Sequence, residues 1–366
     1  MIFKLINVST LILMILAVSA CSNEPEPMVR SSLASDSLQI DTLKVVISTD
    51  SEMLGEPREI VNMDEDQFAV YDHAYKKIMV FDKTGEKKYE FGNTGEGPGE
   101  WDPRAGATDL GFVNNTFLTS NRSRLLFDSY DREGNHLWAK SFPSYIPNSD
   151  KEWIDDQRIL TSTFGRENAL AVVLDLNSDG KVINKVGEPA THYSERLNLD
   201  QERNSYANGE VPESAKNEVL VTNLDQGFLL FVNSTGELKK YDEEGELLFT
   251  SQIPDSVKRP IFDYVVSKNK EIQSPGVVFP LEYAKEMQVK NDLIFIFMPK
   301  LGIDGKLPES RILVFDLKGD MINQFVFTDE VNSSFFYDMM IDDKNMIFLI
   351  DVMNARVLSF DPEIEA

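Results

Sequence analysis

The stretch KIMVFDKTG, residues 77–85, is repeated along the chain. RILVFDLKG occupies residues 311–319 and RVLSFD residues 356–361, while weaker copies end at Gly134, Gly180 and Gly245. In four copies an aromatic residue is followed by Asp and, three positions later, by Gly. An Asp at the first position of a turn accepts main-chain N–H groups, and a Gly at the fourth adopts positive φ without strain. Each copy therefore predicts a strand, a tight turn and a second strand.

The spacing of these turns indicates the fold. Further β-rich pairs of segments precede the repeated turns, so that each unit contains four strands. The repeated Asp residues, 44 to 74 positions apart, are Asp82, Asp131, Asp175, Asp242, Asp316 and Asp361. Units of four strands spaced by more than about 40 residues are typical of propeller blades. We therefore expect an all-β chain, a single six-bladed β-propeller over residues 39–366, with negligible helix outside the N-terminal leader.

The two ends of this region complement each other. The last unit has three strands and stops after RVLSFDPEIEA, whereas QIDTLKVVIST, residues 39–49, is a strand without a unit of its own. If this front strand fills the vacant place in the last blade, the ring closes and no long sheet edge remains. We expect residues 39–49 to pair with the strand around residues 356–361.

FGNTGEGPGEW, residues 91–101, admits two interpretations, a phosphate-binding loop or a joint between blades. A phosphate loop needs Gly-Lys-Ser/Thr entering a helix, and the segment that follows these glycines has no helical pattern. The side chains of Glu96 and Glu100 would also repel phosphate. A joint is favoured, because glycines allow the chain to leave an outer strand and turn sharply into the next blade.

Residues 76–101, with GEGPGEW at 95–101, resemble the six-bladed β-propeller lipoproteins of Bacteroidota, relatives of NHL-repeat and TolB-like propellers. LIDVMNARVLSFD, residues 349–361, is similar to the NHL-type pattern, with Asp351, Asn354 and Arg356 in the expected places. The resemblance covers residues 39–366 approximately and implies the same fold.

The N-terminus predicts export and anchoring. Residues 1–20 have one early Lys, a short apolar run and small residues, which is the pattern of a signal peptide. Residues 18–21, Val-Ser-Ala-Cys, resemble a bacterial lipobox, which implies that Cys21 is lipidated; the alternative is an ordinary secreted protein cut nearby. Residues 21–38 are polar and predict a flexible tether. We expect a cell-envelope protein, lipid-anchored to the outer membrane on its periplasmic side or at the cell surface.

The formal net charge of −25 bears on partners. Nucleic acids and anionic lipid surfaces need clustered cations, so neither is expected, and membrane contact is through the lipid alone. The acidic surface is either a solvated exterior or a field that steers a cationic partner.

Few motifs carry chemistry. The three histidines fall in different units, and no cofactor or transition-metal site is expected. Asp175, Asn177 and Asp179 match the first half of an EF-hand loop, but the twelfth position is Val186 where a Glu would close the site. The segment also lies where other units have their Asp turn. A turn is therefore favoured, and a weak Ca²⁺ site is the alternative.

Two classes of function remain open. One is a non-enzymatic module that binds a protein, peptide or glycan of the cell envelope. The other, which a resemblance to lactonase-type propellers allows, is a hydrolase or lyase with a metal or carboxylate site in the central channel. Acidic, amide or histidine side chains converging from the inner strands of three or more blades would favour the second.

The binding face follows from strand alternation. Residues 188–217, 254–283 and 298–310 and the glycine-rich loop all connect strands on the same side of the ring. Long loops gathered on a rigid scaffold are common binding sites. The candidate ligand-binding residues on them are Trp101, His192, Tyr193, Arg196, Arg259, Phe262 and Tyr264.

Overall fold

The computed structural model describes residues 28–31 (main chain), 37–48, 53–143, 150–193, 198–300, 309–328 and 334–364. The predicted signal peptide, Cys21, Arg196 and most of the 298–310 segment lie outside these residues. No helix in the described ranges is long and apolar enough to cross a membrane.

Six antiparallel sheets form the blades of a propeller, and each contains strands a, b, c and d from the inside outward. Blade 1 contains Pro57–Asn62, Gln67–Asp72, Lys77–Asp82 and Lys87–Phe91; blade 2 contains Thr108–Val113, Thr116–Asn121, Leu126–Asp131 and His136–Ser141. Blade 3 contains Lys151–Trp153, Arg158–Ser162, Ala171–Asp175 and Lys181–Val186; blade 4 contains Val219–Leu224, Gly227–Val232, Glu237–Tyr241 and Leu247–Gln252. Blade 5 contains Glu286–Lys290, Leu293–Met298, Arg311–Asp316 and Met321–Phe327. Strands a to c of blade 6 are Phe336–Ile341, Ile347–Asp351 and Arg356–Phe360. The predicted all-β, six-bladed fold is confirmed.

The N-terminal segment runs around the outside of the last three blades. Lys44–Ile47 is strand d of blade 6, antiparallel to strand c, with Val357 opposite Ile47. Ser37–Ile40 is a parallel fifth strand on blade 5, and Met28–Ser31 is a parallel fifth strand on blade 4. The predicted strand 39–49 is therefore divided between two blades, and within the predicted tether, 21–38, the described residues 28–31 and 37–38 lie in strands. The sequence of this segment has no apolar pattern because a fifth strand buries little side-chain surface and is held by main-chain hydrogen bonds.

The repeated Asp turns form as predicted. In blade 1, Asp82 Oδ1 accepts from the N–H groups of Thr84 (2.9 Å) and Glu86 (3.1 Å), and Gly85 has φ 92°. In blade 5, Asp316 Oδ1 accepts from the N–H groups of Lys318 and Asp320 at 2.9 Å each. The corresponding glycines 134, 245 and 319 have φ between 85° and 87°. The turn is encoded locally, which is why the sequence reveals it.

Strands b and c form the core. Their side chains are buried on both faces because neighbouring blades pack against each sheet, as the patterns of Gln67–Asp72 and Lys77–Asp82 show. Phe68 of blade 1 lies 5.6 Å from Phe348 of blade 6 between ring centroids, so the first and last blades are in direct contact. Burial of each such side chain stabilises the fold by about 1.5–3 kcal/mol.

Two helices contradict the prediction of negligible helix. Helix α1, Leu199–Ala207, lies in the link between blades 3 and 4, and helix α2, Asp255–Glu271, lies in the link between blades 4 and 5. Helix α2 buries Val257, Ile261 and Val265 at four-residue spacing, together with Tyr206 of α1, against blades 4 and 5. The links are long because they carry this packed helical layer.

The connections divide between two sides of the ring. The d-to-a links and b–c loops lie on one side, which we call the loop face; the a–b and c–d turns lie on the other, the turn face. Asp72, at the end of strand b of blade 1, illustrates this, since its Oδ2 accepts from the N–H groups of Gly55 (2.7 Å) and Glu56 (3.0 Å) just before strand a.

Candidate functional site: the central channel

The six inner strands surround a central cavity of about 630 Å³ to which all six blades contribute side chains. Eight carboxylic side chains line it: Glu59, Asp109, Asp150, Glu152, Glu218, Glu282, Glu286 and Asp338. Five cationic side chains line it as well: Arg58, Arg122, Lys151, Lys285 and Lys290. Except for Lys290, at the end of strand a of blade 5, and Arg122, after strand b of blade 2, these residues lie in or just before the first half of strand a. Their charge is therefore concentrated toward the loop face.

Five blades place an acid at the same position of strand a. Glu59 pairs with Tyr71, Glu286 with Phe297 and Asp338 with Ile350. When the blades are aligned on their a–b turns, these three partners occupy the same position, the fifth of strand b. The equivalent residues of blades 2 and 3 are Asp109 and Asp150, while blade 4 has Leu220 opposite Phe231. We call these five acids the inner ring. It was not predicted, although an acid at the start of the first apolar run in five of the six units was a visible signal.

Three inner-ring acids hold neighbouring blades together. Glu59 accepts from the N–H groups of Asp109 (3.1 Å) and Leu110 (2.5 Å) on blade 2. Asp338 of blade 6 accepts from the N–H of Ile60 on blade 1 at 2.9 Å. Hydrogen bonds to a charged acceptor are stronger than neutral ones, so each acid bridges two sheets that share no strand pairing.

The same device operates between blades 3 and 4. Asp150 accepts from the N–H of Val221 at 2.7 Å, and the nearby Glu152 accepts from the N–H of Asn223 at 2.6 Å. Burial raises the pKa of Asp150 to about 6 and that of Glu152 to about 8, although these hydrogen bonds act in the opposite direction.

Asp109 is held by cations. The Nζ of Lys151 lies 3.2 Å from its Oδ2, and the Nη2 of Arg122 lies 3.2 Å from its Oδ1. Burial alone would raise the pKa of Asp109, but Lys151 and Arg122 outweigh it and lower that pKa below the ordinary value.

The fifth acid, Glu286, is differently placed. It hydrogen-bonds to Gln288, and within the described part of the chain it has no main-chain donor and no ion pair. Burial raises its pKa well above the ordinary value, and the charges of Asp338 and Asp150 add to that effect. Glu218 is similar: burial and the charge of Glu282 raise its pKa to about 7.

A cationic and aromatic group lies beside these acids. The Nζ of Lys285 lies 5.1 Å from the centroid of the Tyr337 ring, and the guanidinium of Arg58 lies 5.0 Å from the same centroid. Burial alone would lower the pKa of Lys285, but Tyr337, Glu282 and Asp338 together raise it. Arg58 is paired with Glu56. For Lys285 the described residues provide no ion-pair partner.

The glycine-rich loop is a joint between blades 1 and 2, as predicted. Gly92 and Gly99 have φ of 107° and 71°, and Asn93–Thr94 pairs with Glu100–Trp101 in a short parallel ladder. The N–H of Gly97 is used internally, by Glu100 Oε2 at 2.7 Å. Trp101 is fully buried, with its ring centroid 5.7 Å from that of Tyr71. Its assignment as a ligand-binding residue was therefore wrong, because it fills the interface between the blades.

The other predicted contact residues that the structure describes have separate local environments. His192 is exposed and Tyr193 is half-buried under the guanidinium of Arg166, 4.2 Å from its ring centroid. Arg259 is exposed on helix α2, where Phe262 packs against the core. The ring of Tyr264 contacts Phe279 at 5.7 Å between centroids. These residues lie on the links that flank blade 4.

The weak calcium candidate is a turn. Asp175 Oδ1 accepts from the N–H of Asn177 at 2.8 Å, and Asp175 Oδ2 accepts from the hydroxyl of Ser178 at 2.7 Å. Asn177 Oδ1 accepts a hydrogen bond from the ammonium of Lys140 at 2.6 Å. This oxygen is therefore not free to coordinate a cation. Over the described residues, no three His, Cys, Asp or Glu side chains are grouped closely enough to hold a metal ion.

Comparison with known proteins supports the class of fold. Residues 34–102 match a protein family described as a 6-bladed beta-propeller. An exported protein of Bacteroides fragilis has a similar structure, with a TM-score of 0.56 at 13% identity over 91% of this chain and 99% of that one. No curated protein matches the sequence.

Two further solved structures share the fold at lower similarity. A protein of unknown function from Bacteroides caccae has a TM-score of 0.45 at 11% identity, over 78% of this chain and 85% of that one. Virginiamycin B lyase from Staphylococcus aureus has a TM-score of 0.45 at 11% identity, over 88% and 89% of the two chains. The matched family and the six blades described above show that the chain is a six-bladed β-propeller.

Proposed function

We propose that this propeller is a non-enzymatic binding module of the cell envelope, anchored to the outer membrane through a lipid on Cys21, and that it receives a ligand or protein at the loop face. One observation carries the proposal: a cavity of about 630 Å³ lies on the axis, with its charged side chains toward the loop face. This volume lies within the range of usual small-molecule sites, about 300–1,000 Å³.

The distribution of exposed apolar residues also favours the loop face. Tyr75, Phe335 and Met353 are 50%, 37% and 71% exposed, and all three lie in loop-face connections of the adjacent blades 6 and 1. We call them the blade 6–1 patch. In the described ranges the other large exposed apolar side chains lie on outer strands or on loop-face links, and none lies on the turn face. Exposed apolar residues gathered in one patch often mark an interaction surface.

The test is capture of partners from detergent-solubilised envelopes. Replacing Tyr75, Phe335 and Met353 together by Ser should abolish capture. The matched control replaces three similarly exposed outer-strand residues, Leu137, Ile183 and Leu248, by Ser. Retention of partners by the patch variant, or equal loss in both variants, would overturn the assignment of the face.

Anchoring is tested separately. Replacing Cys21 by Ala removes the thiol that would carry the lipid, and the protein should then move to the soluble periplasmic fraction. Quantitative membrane retention of this variant would refute the lipid anchor without affecting the binding proposal.

The alternative, a hydrolase or lyase, is favoured by the acids that converge on the channel from the inner strands of five blades, although four of these acids already have main-chain or cationic partners. The pKa values of Glu152 and Glu218, about 8 and about 7, are suited to general acid–base catalysis near neutral pH. The check is a panel of lactones incubated with the wild type and with Glu218→Gln. Turnover that is lost in the variant would support an enzyme, and no turnover by the wild type would count against it.

A further inference from the structure

The five inner-ring acids differ in their hydrogen-bond and ion-pair partners, and this difference indicates where a ligand can bind. Glu59, Asp150 and Asp338 are occupied by main-chain N–H groups of the next blade, and Asp109 is occupied by two cations. Glu286 alone has neither kind of partner within the described residues. The ionisable groups left available are therefore on the side of the channel formed by blades 4, 5 and 6, namely Glu218, Glu286 and Lys285.

These available charges have both signs. Glu218, at the start of blade 4, and Glu286, at the start of blade 5, face the cavity without an ion pair in the described part of the protein. Lys285 is adjacent to Glu286 in sequence, is exposed to the cavity and lies beside the Tyr337 ring. A simple cation would meet the ammonium of Lys285, and a simple anion would meet the two carboxylates. A ligand that carries both charges satisfies all three groups.

We propose that the loop-face end of the channel binds a small zwitterion of amino-acid or peptide type. Glu218 and Glu286 accept from its ammonium group, Lys285 donates to its carboxylate, and the ring of Tyr337 packs against its body. This inference rests on the proposed binding function and specifies the ligand class. A ligand that lacks its ammonium or its carboxylate leaves hydrogen-bonding groups of the site without partners, so it should be discriminated strongly.

The experiment is titration calorimetry of the lipid-free protein with three probes. Triglycine carries both termini, N-acetyl-triglycine lacks the ammonium group, and triglycine amide lacks the carboxylate. We expect saturable binding of triglycine and binding weaker by about tenfold or more for each blocked probe, which corresponds to at least one lost charged contact. Absence of triglycine binding, or equal affinity for all three probes, would overturn the proposal.

Variants assign the two ends of the ligand. Lys285→Met should weaken triglycine about tenfold but leave the affinity for triglycine amide unchanged, because the amide has no carboxylate to lose. Glu286→Gln should weaken triglycine and leave N-acetyl-triglycine unaffected. The matched control is Lys239→Met, which removes a surface cation paired with Glu237 at 3.2 Å on blade 4. If a variant fails to fold, the probe series on the wild type still decides.

Failure here is separable from failure of the proposed function. If partner capture depends on the blade 6–1 patch while triglycine does not bind, the module binds a partner but the zwitterion is wrong. If triglycine binds and patch variants still capture partners, the channel ligand is supported and the patch is wrong.

Discussion

Single carboxylates join the blades of this propeller. Neighbouring blades share no strand pairing, and their inner strands are linked in part by side chains such as Asp338, which accepts from the N–H of Ile60 and closes the ring between blades 6 and 1. A buried N–H that loses its acceptor costs free energy, so these positions have more effect on stability than a surface acid.

We expect Asp338→Ala to lower the free energy of unfolding by about 1–3 kcal/mol, because the N–H of Ile60 is left without its acceptor. Denaturant unfolding measures this. Glu244→Gln, at an exposed turn of blade 4, is the control and should change stability by less than about 0.5 kcal/mol. Equal stabilities of the two variants would show that the acid does not hold the blades.

Stability should fall as the pH rises from about 5 to about 8. Burial raises the folded-state pKa of Glu59 to about 7 and that of Glu152 to about 8, from ordinary values of 4.5. The folded state therefore binds protons that the unfolded state has already released, and this stabilisation is present at low pH and lost as the pH passes the folded pKa. Melting temperature against pH measures the slope. Glu152→Gln should flatten it, and an unchanged slope in that variant would contradict the assignment.

The strands and helices differ in how far the sequence predicts them. The Asp turns were predictable because Asp82, its N–H donors and Gly85 lie within five residues. Helix α2 was missed because a long link was interpreted as a loop, although Val257, Ile261 and Val265 recur at helical spacing. The inner ring was missed because its signal is one acid per unit, and its meaning depends on register across blades.

The N-terminal strands should contribute unequally to stability. Deleting residues 37–48 removes strand d of blade 6 and exposes the edge of strand c, where Val357 pairs with Ile47. We expect a fall in melting temperature of about 10 °C or more, from a loss of several kcal/mol at about 2–4 °C each. Deleting residues 22–36 should have little effect, since Met28–Ser31 is a fifth strand on a blade that is complete without it. Equal effects of the two deletions would refute this role of the front strand.

As a whole, the molecule combines a rigid ring with an acidic channel. The formal net charge is −25, and eight of the acids line the channel. The number of blades could be predicted because the repeated Asp turn can be counted along the sequence. The chemistry of the channel could not be predicted, because it depends on which acids accept hydrogen bonds from the neighbouring blade and which remain available.

Carbodiimide labelling of carboxyl groups, followed by mass spectrometry of peptides, distinguishes the occupied channel acids from the available ones. Glu59 and Asp338 are occupied by main-chain donors, whereas Glu218 and Glu286 are available to a ligand. We predict that Glu218 and Glu286 are labelled in the folded protein at least about tenfold faster than Glu59 and Asp338, and that triglycine protects them. Labelling of all four at the same rate would contradict the division of the channel acids on which the account depends.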